Sequence, residues 1–216
     1  MGARIHMVFW RIFSLVLIVL FSTAMVSKPD VDDVRAGTVT RILSSAIAIQ
    51  DARPRVLKVG SPIFINDIIS TGPDSRLEIK MIDDTVLTLS SRTQFVVMRY
   101  QFDGKGGDAL LRLISGTFRA VTGKLAKLEK RPFKVVTNVA TIGVRGTDFW
   151  VGAFKKVPHV QLLGGGGVYV ENGAGRVEIV RAGWGTFIKD ANTAPTAPEF
   201  WPPQMNKMVN QSMSFK

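Results

Sequence analysis

Cysteine and histidine, two residue types common in nucleophilic and metal sites, are absent or scarce in this chain. Its 216 residues include no cysteine and two histidines, His6 and His159. Without cysteine there is no thiolate nucleophile, no thiolate metal site and no disulfide. His6 lies near the N-terminus, in the predicted signal peptide, so the mature chain would keep only His159, which follows a proline in a stretch with loop character. One histidine is too few for a histidine-rich zinc site. The Gly-x-Ser-x-Gly pattern of serine hydrolases is also absent.

The carboxylates and the glycine runs are those of turns and linkers. Asp83 and Asp84 lie between two predicted strands, and aspartate favours turns because it tolerates left-handed backbone. The three aspartates of residues 30–33 lie in a polar linker. The glycine runs at 104–109 and 164–167 lack the following helix that a phosphate-binding loop needs. We therefore predict that the chain is not an enzyme and has no catalytic residue, metal site or cofactor.

The stretch TIGVRGTDFWVG, residues 141–152, is the one segment with an unusual pattern. It contains three glycines, which weaken a strand interior. Its apolar residues occupy even positions before Gly146 and odd positions after it, so the buried face changes parity. This change predicts either a β-bulge near Gly146 and Thr147 or two strands that meet at a corner through Gly146.

Arg145 is adjacent to this kink in the sequence. Its guanidinium could bridge carbonyl groups left free by the broken ladder, or pair with a carboxylate. We expect such a structural role, and we therefore expect Arg145→Ala to lower the thermal stability. Binding of a ligand through Arg145 is the alternative.

The rest of the sequence predicts the strands that position this motif. In RLEIKM, residues 76–81, apolar and charged residues alternate, as in a strand with one exposed face. Helical signals are few, and GKLAKLEK, residues 123–130, is expected to form one or two turns. We predict an all-β fold in which many short strands form a solenoid-like or sandwich-like core with little helix. Three glycines that precede predicted strands, Gly37, Gly116 and Gly167, are expected at corners of this core.

Several segments resemble the FecR-domain family. The pattern VRGTDFWV, residues 144–151, follows FKVVTNVATIG, residues 133–143, and together they are similar to that family's signature. Residues 56–97 resemble the family's glycine-led strand, turn and hairpin, and residues 111–121 resemble a further strand. The resemblance covers roughly residues 37–152.

The resemblance implies an exported, non-catalytic β domain that senses or binds something in the cell envelope. It supplies no catalytic residues. It marks Arg145, Gly146, Thr147 and Asp148 as the residues of interest, acting as a binding or structural motif. The first three of these match the family signature and are expected to be fold determinants.

The chain also departs from the best-known family members, which are membrane regulators of iron uptake with a cytoplasmic sigma-factor-binding segment. Only about ten residues precede the apolar run near the N-terminus, too few for such a segment, so the sigma-regulator mechanism is not transferred. Two turns differ as well. Asn66–Asp67 stands in place of Gly-Asp, and Asp83–Asp84 stands in place of Asp-Gly, and both pairs keep turn chemistry.

The N-terminal residues predict a signal peptide. Arg4 and Arg11 precede an apolar run at 12–21, and the small residues 22–24 resemble a cleavage site. A bilayer span needs about 20 apolar residues, so the run is too short to be one. A retained membrane anchor is the alternative.

We divide the chain into five segments. These are a signal peptide at 1–24, a linker at 25–36, a FecR-like β domain at 37–152, a C-terminal β extension packed on it at 153–189, and a Pro-rich tail at 190–216 that is expected to be extended. Cleavage of the signal peptide predicts a periplasmic protein.

The expected function is that of an exported binding, sensory or scaffold module that contacts another envelope protein. The formal charge of +11, or +9 without Arg4 and Arg11, favours a second possibility, binding of an anionic envelope polymer or lipid. Nucleic acid is not an expected partner of an exported chain. A membrane-anchored, anti-sigma-like signalling protein is the third possibility.

Overall fold

The computed structural model describes residues 34–128 and 133–216, and the predicted signal peptide lies outside these residues. Strands dominate the described chain. In chain order they are β1 (Arg35–Leu43), β2 (Ala46–Gln50), β3 (Arg53–Val56), β4 (Pro62–Phe64), β5 (Ile68–Thr71), β6 (Arg76–Met81), β7 (Val86–Leu89), β8 (Gln94–Phe102), β9 (Gly107–Ser115), β10 (Phe118–Val121), β11 (Phe133–Val136), β12 (Thr141–Val144), β13 (Thr147–Phe154), β14 (Val157–Gly165), β15 (Val168–Asn172), β16 (Gly175–Ile179), β17 (Trp184–Phe187) and β18 (Glu199–Phe200).

The strands form two nine-stranded sheets within the described residues. Sheet A has the order β4-β1-β6-β7-β10-β13-β14-β17-β18, and sheet B has the order β3-β2-β5-β8-β9-β11-β12-β15-β16. Neighbouring strands are antiparallel except β9 and β11, which are parallel. The predicted all-β fold is confirmed, and its core is sandwich-like.

The chain passes repeatedly from one sheet to the other, and glycine occupies several of these corners. Gly116, with φ +94°, lies between β9 in sheet B and β10 in sheet A. Gly167, with φ +124°, lies between β14 in sheet A and β15 in sheet B. Glycine suits both positions because a residue with a side chain is strained at positive φ. Gly116 and Gly167 are therefore points where the chain changes sheet, whereas Gly37, which was also expected at a corner, lies inside β1.

The main core lies between the sheets and follows the alternation of each strand. Phe95 of sheet B contacts Phe118 of sheet A with 5.2 Å between ring centroids, and Phe118 contacts Phe149 at 5.7 Å. All three rings are fully buried. Burial of large aromatic side chains from both sheets holds the two layers together.

A second, smaller apolar cluster lies on the outer face of sheet A. It is formed by Trp150, Trp201, Val209 and Met213, and the last two belong to helix α1 (Pro203–Met213). The indole nitrogen of Trp150 donates to the hydroxyl of Ser212 at 3.1 Å. Helix α1 therefore covers the part of sheet A around Trp150.

The helix and β18 lie in the segment that was expected to be an extended Pro-rich tail. Pro203 is the first residue of α1, where proline is favoured because its missing N–H has no helical partner. The predicted turns at 123–130 are represented by a single 3-10 turn at Leu125–Lys127, and residues 129–130 lie outside the described chain. Among the described residues, no helix is long and apolar enough to span a membrane.

Candidate functional site at the sheet corner

The TIGVRGTDFWVG segment forms a corner between the two sheets. Strand β12 belongs to sheet B and β13 belongs to sheet A, and Arg145 and Gly146 connect them. Of the two predicted arrangements, the structure therefore shows two strands that meet through Gly146. A register irregularity in the pairing of β13 with β14, between Asp148 and Phe149, adds to the change of direction.

The three glycines of the segment serve different purposes. Gly146 has φ +62° and makes the turn. Gly143 leaves space for the ring of Tyr169, which a Cβ atom would overlap. Gly152 leaves space in the same way for the ring of Trp150. One glycine is thus required by the backbone, and two are required by aromatic rings packed against the strands.

Thr147 fixes the corner. It is 3% exposed, and its hydroxyl donates to the carbonyl of Gly167 at 2.9 Å. The backbone N–H of Thr147 donates to the hydroxyl of Thr122 at 2.6 Å, and that hydroxyl donates to the Thr147 carbonyl at 3.0 Å. These hydrogen bonds connect the corner to the segment after β10 and to the next corner, at Gly167.

Asp148 forms an ion pair on sheet A. Arg119 of β10 donates to both of its carboxylate oxygens, at 2.8 and 2.6 Å. The carboxylate raises the pKa of Arg119 above its ordinary value, mainly through these hydrogen bonds. Both side chains are partly exposed, so the pair contributes modestly to stability.

Arg145 differs from the expectation of a guanidinium that bridges carbonyl groups. Its side chain is exposed and, within the described chain, forms no hydrogen bond or ion pair. The backbone satisfies the corner instead: the N–H of Arg145 donates to Gly167 at 3.1 Å, and the Gly146 carbonyl accepts from Gly166 at 2.9 Å. The guanidinium borders a small depression that Tyr169 also lines, and it is available for an external contact.

From the sequence we predicted that Asp83 lies in a turn. The structure shows that its carboxylate is also a buried centre of hydrogen bonds. Its carboxylate is fully buried and accepts from the Tyr100 hydroxyl at 2.6 Å, from the hydroxyl and N–H of Thr85 at 2.9 and 3.0 Å, and from the N–H of Leu125 at 3.1 Å. Burial, together with the charge of Asp83, raises the pKa of Tyr100 well above its ordinary value. This centre connects sheet A, sheet B and the 3-10 turn, and its role is structural.

Asp67 is a second buried carboxylate that the sequence assigned to a turn. It is fully buried and accepts from Arg55 of β3 through both oxygens, at 2.7 and 2.6 Å. The N–H of Phe64 also donates to it, at 2.8 Å. No group of three or more His, Asp or Glu side chains among the described residues could hold a metal ion.

The outer face of sheet B carries a row of residues that align across five strands. Strand register places Ile49, Ile68, Val96, Arg112 and Val136 side by side, and we call these residues the outer row. Ile68 is 40% exposed, and the row belongs to neither apolar cluster of the described chain. Sheet A has α1 on its outer face, whereas no described element covers the outer row.

Two cations in or close to the outer row have no ion-pair partner in the described chain, whereas Arg99 on the same face pairs with Asp108. Arg112 is exposed and forms no ion pair there, and the same holds for the half-buried Lys134 on the next strand. Lys134 is opposite Leu110 of β9, which is also half-buried. This part of the face is therefore mainly apolar and carries two cations without a described ion pair.

The fold and the corner motif define an all-β, sandwich-like module. The protein-family model described as FecR protein matches residues 67–166, a range that includes the corner, and the resemblance expected from the sequence is confirmed. A search of curated proteins found no match.

Solved structures show the same fold. Two crystal structures of a candidate anti-sigma factor from Parabacteroides distasonis ATCC 8503, at 1.65 and 2.50 Å resolution, each align with a TM-score of 0.53 and 18% sequence identity. Each alignment covers 66% of this chain and 63% of that chain, so this chain spans less than two thirds of the length of its structural relative. At this identity the likeness concerns the fold alone.

Proposed function

We propose that this protein is an exported, non-catalytic FecR-like module that acts by binding another protein of the bacterial cell envelope. The observation that carries the proposal is the uncovered outer row on sheet B. Four of its five residues are apolar: Ile68 is exposed, and the other three are half-buried and reach the surface. Contiguous apolar surface is typical of interaction sites. A partner would remove this surface from water.

The charge of the face indicates the chemistry of the partner. Arg112 lies within the outer row and has no ion pair among the described residues, and arginine is enriched at protein interfaces. A partner surface with apolar residues and a carboxylate placed opposite Arg112 would complement it. Such contacts increase both specificity and the rate of association.

A regulatory role agrees with the family and with the structural relatives. The FecR match and the candidate anti-sigma factors support a module that transmits a signal by contact. The N-terminal pattern of Arg4, Arg11, the apolar run and the small residues supports export to the periplasm.

Site-specific photocrosslinking in cells of the native host tests the proposal. A photoreactive residue at Val96 or Val136 is expected to yield one discrete adduct with a second protein. The matched control is Gln204, an exposed residue of α1 on the other side of the sandwich. Equal adducts at Gln204, or none at Val96 and Val136, would contradict the proposal.

Charge reversal gives a second measurement of the same contact. Arg112→Glu is expected to weaken the adduct formed from Val136, because the exposed cation would become an anion. Lys207→Glu on α1 is the matched control, since Lys207 is also exposed and without a described ion pair. Equal loss with both variants would indicate a general charge effect rather than a specific interface.

Binding of an anionic polymer or lipid is a second candidate, favoured by the formal charge of +11. Cosedimentation with vesicles that contain anionic lipid should then fall steeply as the salt concentration rises. Binding that does not depend on salt would exclude this candidate. The third candidate, a membrane-anchored signalling protein, requires a retained N-terminus, and a mature chain that begins near Met25 would exclude it.

A further inference from the structure

An apolar groove lies on the sheet A side of the sandwich. Its residues are distant in the sequence from those of the outer row. The end of β13, β17 and helix α1 form its walls, with Phe154, Phe187, Met205 and Met208 as the main apolar side chains. Its volume is about 570 Å³, which is within the range of sites for small ligands. Phe187 is 39% exposed and Met208 is 50% exposed, so two walls of the groove are in contact with water.

The rim of the groove is positively charged. Lys155 lines it, and Lys156 follows in the tight turn between β13 and β14. Both lysines are exposed, and neither forms an ion pair in the described part of the chain. The lining contains no carboxylate. A ligand that fills this groove therefore encounters apolar walls and a cationic end.

His159 also lines the groove and forms an aromatic part of its wall. Its ring packs against Phe154 at 5.1 Å and Phe187 at 5.8 Å between centroids. Its Nδ1 lies 2.7 Å from the carbonyl of Val157, so Nδ1 carries a proton and donates to it. Burial lowers the pKa of His159, an effect that outweighs the opposing influence of the Val157 hydrogen bond and the Glu199 charge. The ring is thus neutral at pH 7 and adds an aromatic wall rather than a charge.

We propose that this groove binds the alkyl chain of a single-chain anionic amphiphile, such as a fatty-acid carboxylate, with the anion next to Lys155 and Lys156. Apolar walls of methionine and phenylalanine accommodate a flexible chain because methionine adapts to irregular shapes. The lysines select an anionic head over a neutral one. This site goes beyond the proposed protein contact, which uses the opposite sheet.

Calorimetric titration of the purified protein with octanoate, decanoate and dodecanoate below their micelle concentrations tests this site. Each added pair of methylenes is expected to lower the dissociation constant roughly tenfold, because the groove removes them from water. The neutral alcohol 1-decanol is expected to bind at least several-fold more weakly than decanoate. Affinity that is independent of chain length, or equal for the alcohol, would overturn the proposal.

Substitutions locate the binding. Met208→Glu is expected to abolish dodecanoate binding, and Met98→Glu, at a residue of sheet B that is 39% exposed, is expected to leave it unchanged. The double substitution Lys155→Gln and Lys156→Gln should weaken dodecanoate but not 1-decanol. Circular dichroism melts check that each variant is folded. Equal losses in Met208→Glu and Met98→Glu, or binding only to anionic vesicles and not to monomeric dodecanoate, would contradict a groove site.

Discussion

Removal of the Tyr100 hydroxyl tests the role of the buried centre around Asp83. In Tyr100→Phe the ring stays packed against Phe133, but the Asp83 carboxylate loses the donor at 2.6 Å and keeps the three donors from Thr85 and Leu125. A hydrogen bond to a buried charged group contributes about 1.5–3 kcal/mol. We expect the free energy of unfolding, measured with urea at pH 7, to fall by that amount.

The same variant should change how stability depends on pH. The folded state holds the pKa of Tyr100 far above its ordinary value of 10.0. Above pH 10 the unfolded chain therefore loses the tyrosine proton while the folded protein keeps it, and the free energy of unfolding falls as pH rises. The cost reaches about 1.4 kcal/mol at one pH unit above the ordinary value. Because Tyr100→Phe lacks this titration, its deficit relative to the wild type should shrink by that amount at pH 11.

Tyr169→Phe is the matched control, since the sequence contains only these two tyrosines. The Tyr169 hydroxyl forms no hydrogen bond within the described chain, and its ring packs on Arg176 with 3.9 Å between the guanidinium carbon and the ring centre. We expect a change of less than about 0.5 kcal/mol and no change in pH dependence. Equal losses in the two variants would refute the reasoning about Asp83.

Substitutions at Arg145 and Thr147 test the corner, and a truncation tests the C-terminal helix. Arg145→Ala is expected to change the free energy of unfolding by less than about 0.5 kcal/mol, because the side chain is exposed without a described partner. If urea titration shows a larger loss of free energy, Arg145 has the structural role that the sequence predicted. Thr147→Val should cost about 0.5–1.5 kcal/mol by the same assay, since the carbonyl of Gly167 loses the Thr147 hydroxyl but keeps the N–H of Arg145, and Thr147→Ser should cost less. A chain that ends at residue 202 should lose more than about 3 kcal/mol and show red-shifted tryptophan fluorescence, because Trp150 becomes exposed; unshifted emission would contradict the packing of α1.

The corner at Gly146 could be predicted because its signal is local. When the buried residues of a strand switch from even to odd positions, the backbone must bulge or turn within a few residues, and glycine permits this. The short alternating segments likewise predicted strands such as β6. The sequence did not reveal which sheet each strand joins, because that depends on pairing between distant segments.

The roles of individual polar residues were harder to predict. Asp83 and Asp67 were assigned to turns, which their local sequence supports, but their burial depends on Tyr100 and Arg55, which lie elsewhere in the sequence. Helix α1 was missed because prolines precede it, although proline is favoured at the first position of a helix. Arg145 was expected to satisfy the corner, whereas backbone hydrogen bonds already do so.

The order of strands in space has a consequence for how the protein is made. From β5 onward, each sheet grows in the same direction as the chain, so every new strand is laid beside one that precedes it in the sequence. A polypeptide that emerges N-terminus first can therefore add each hairpin to a finished edge, without waiting for its C-terminal end. This progressive assembly lets each new strand pair with an edge that has already been made, which limits the exposure of unpaired edges. Helix α1 follows these strands in the sequence and then packs over Trp150.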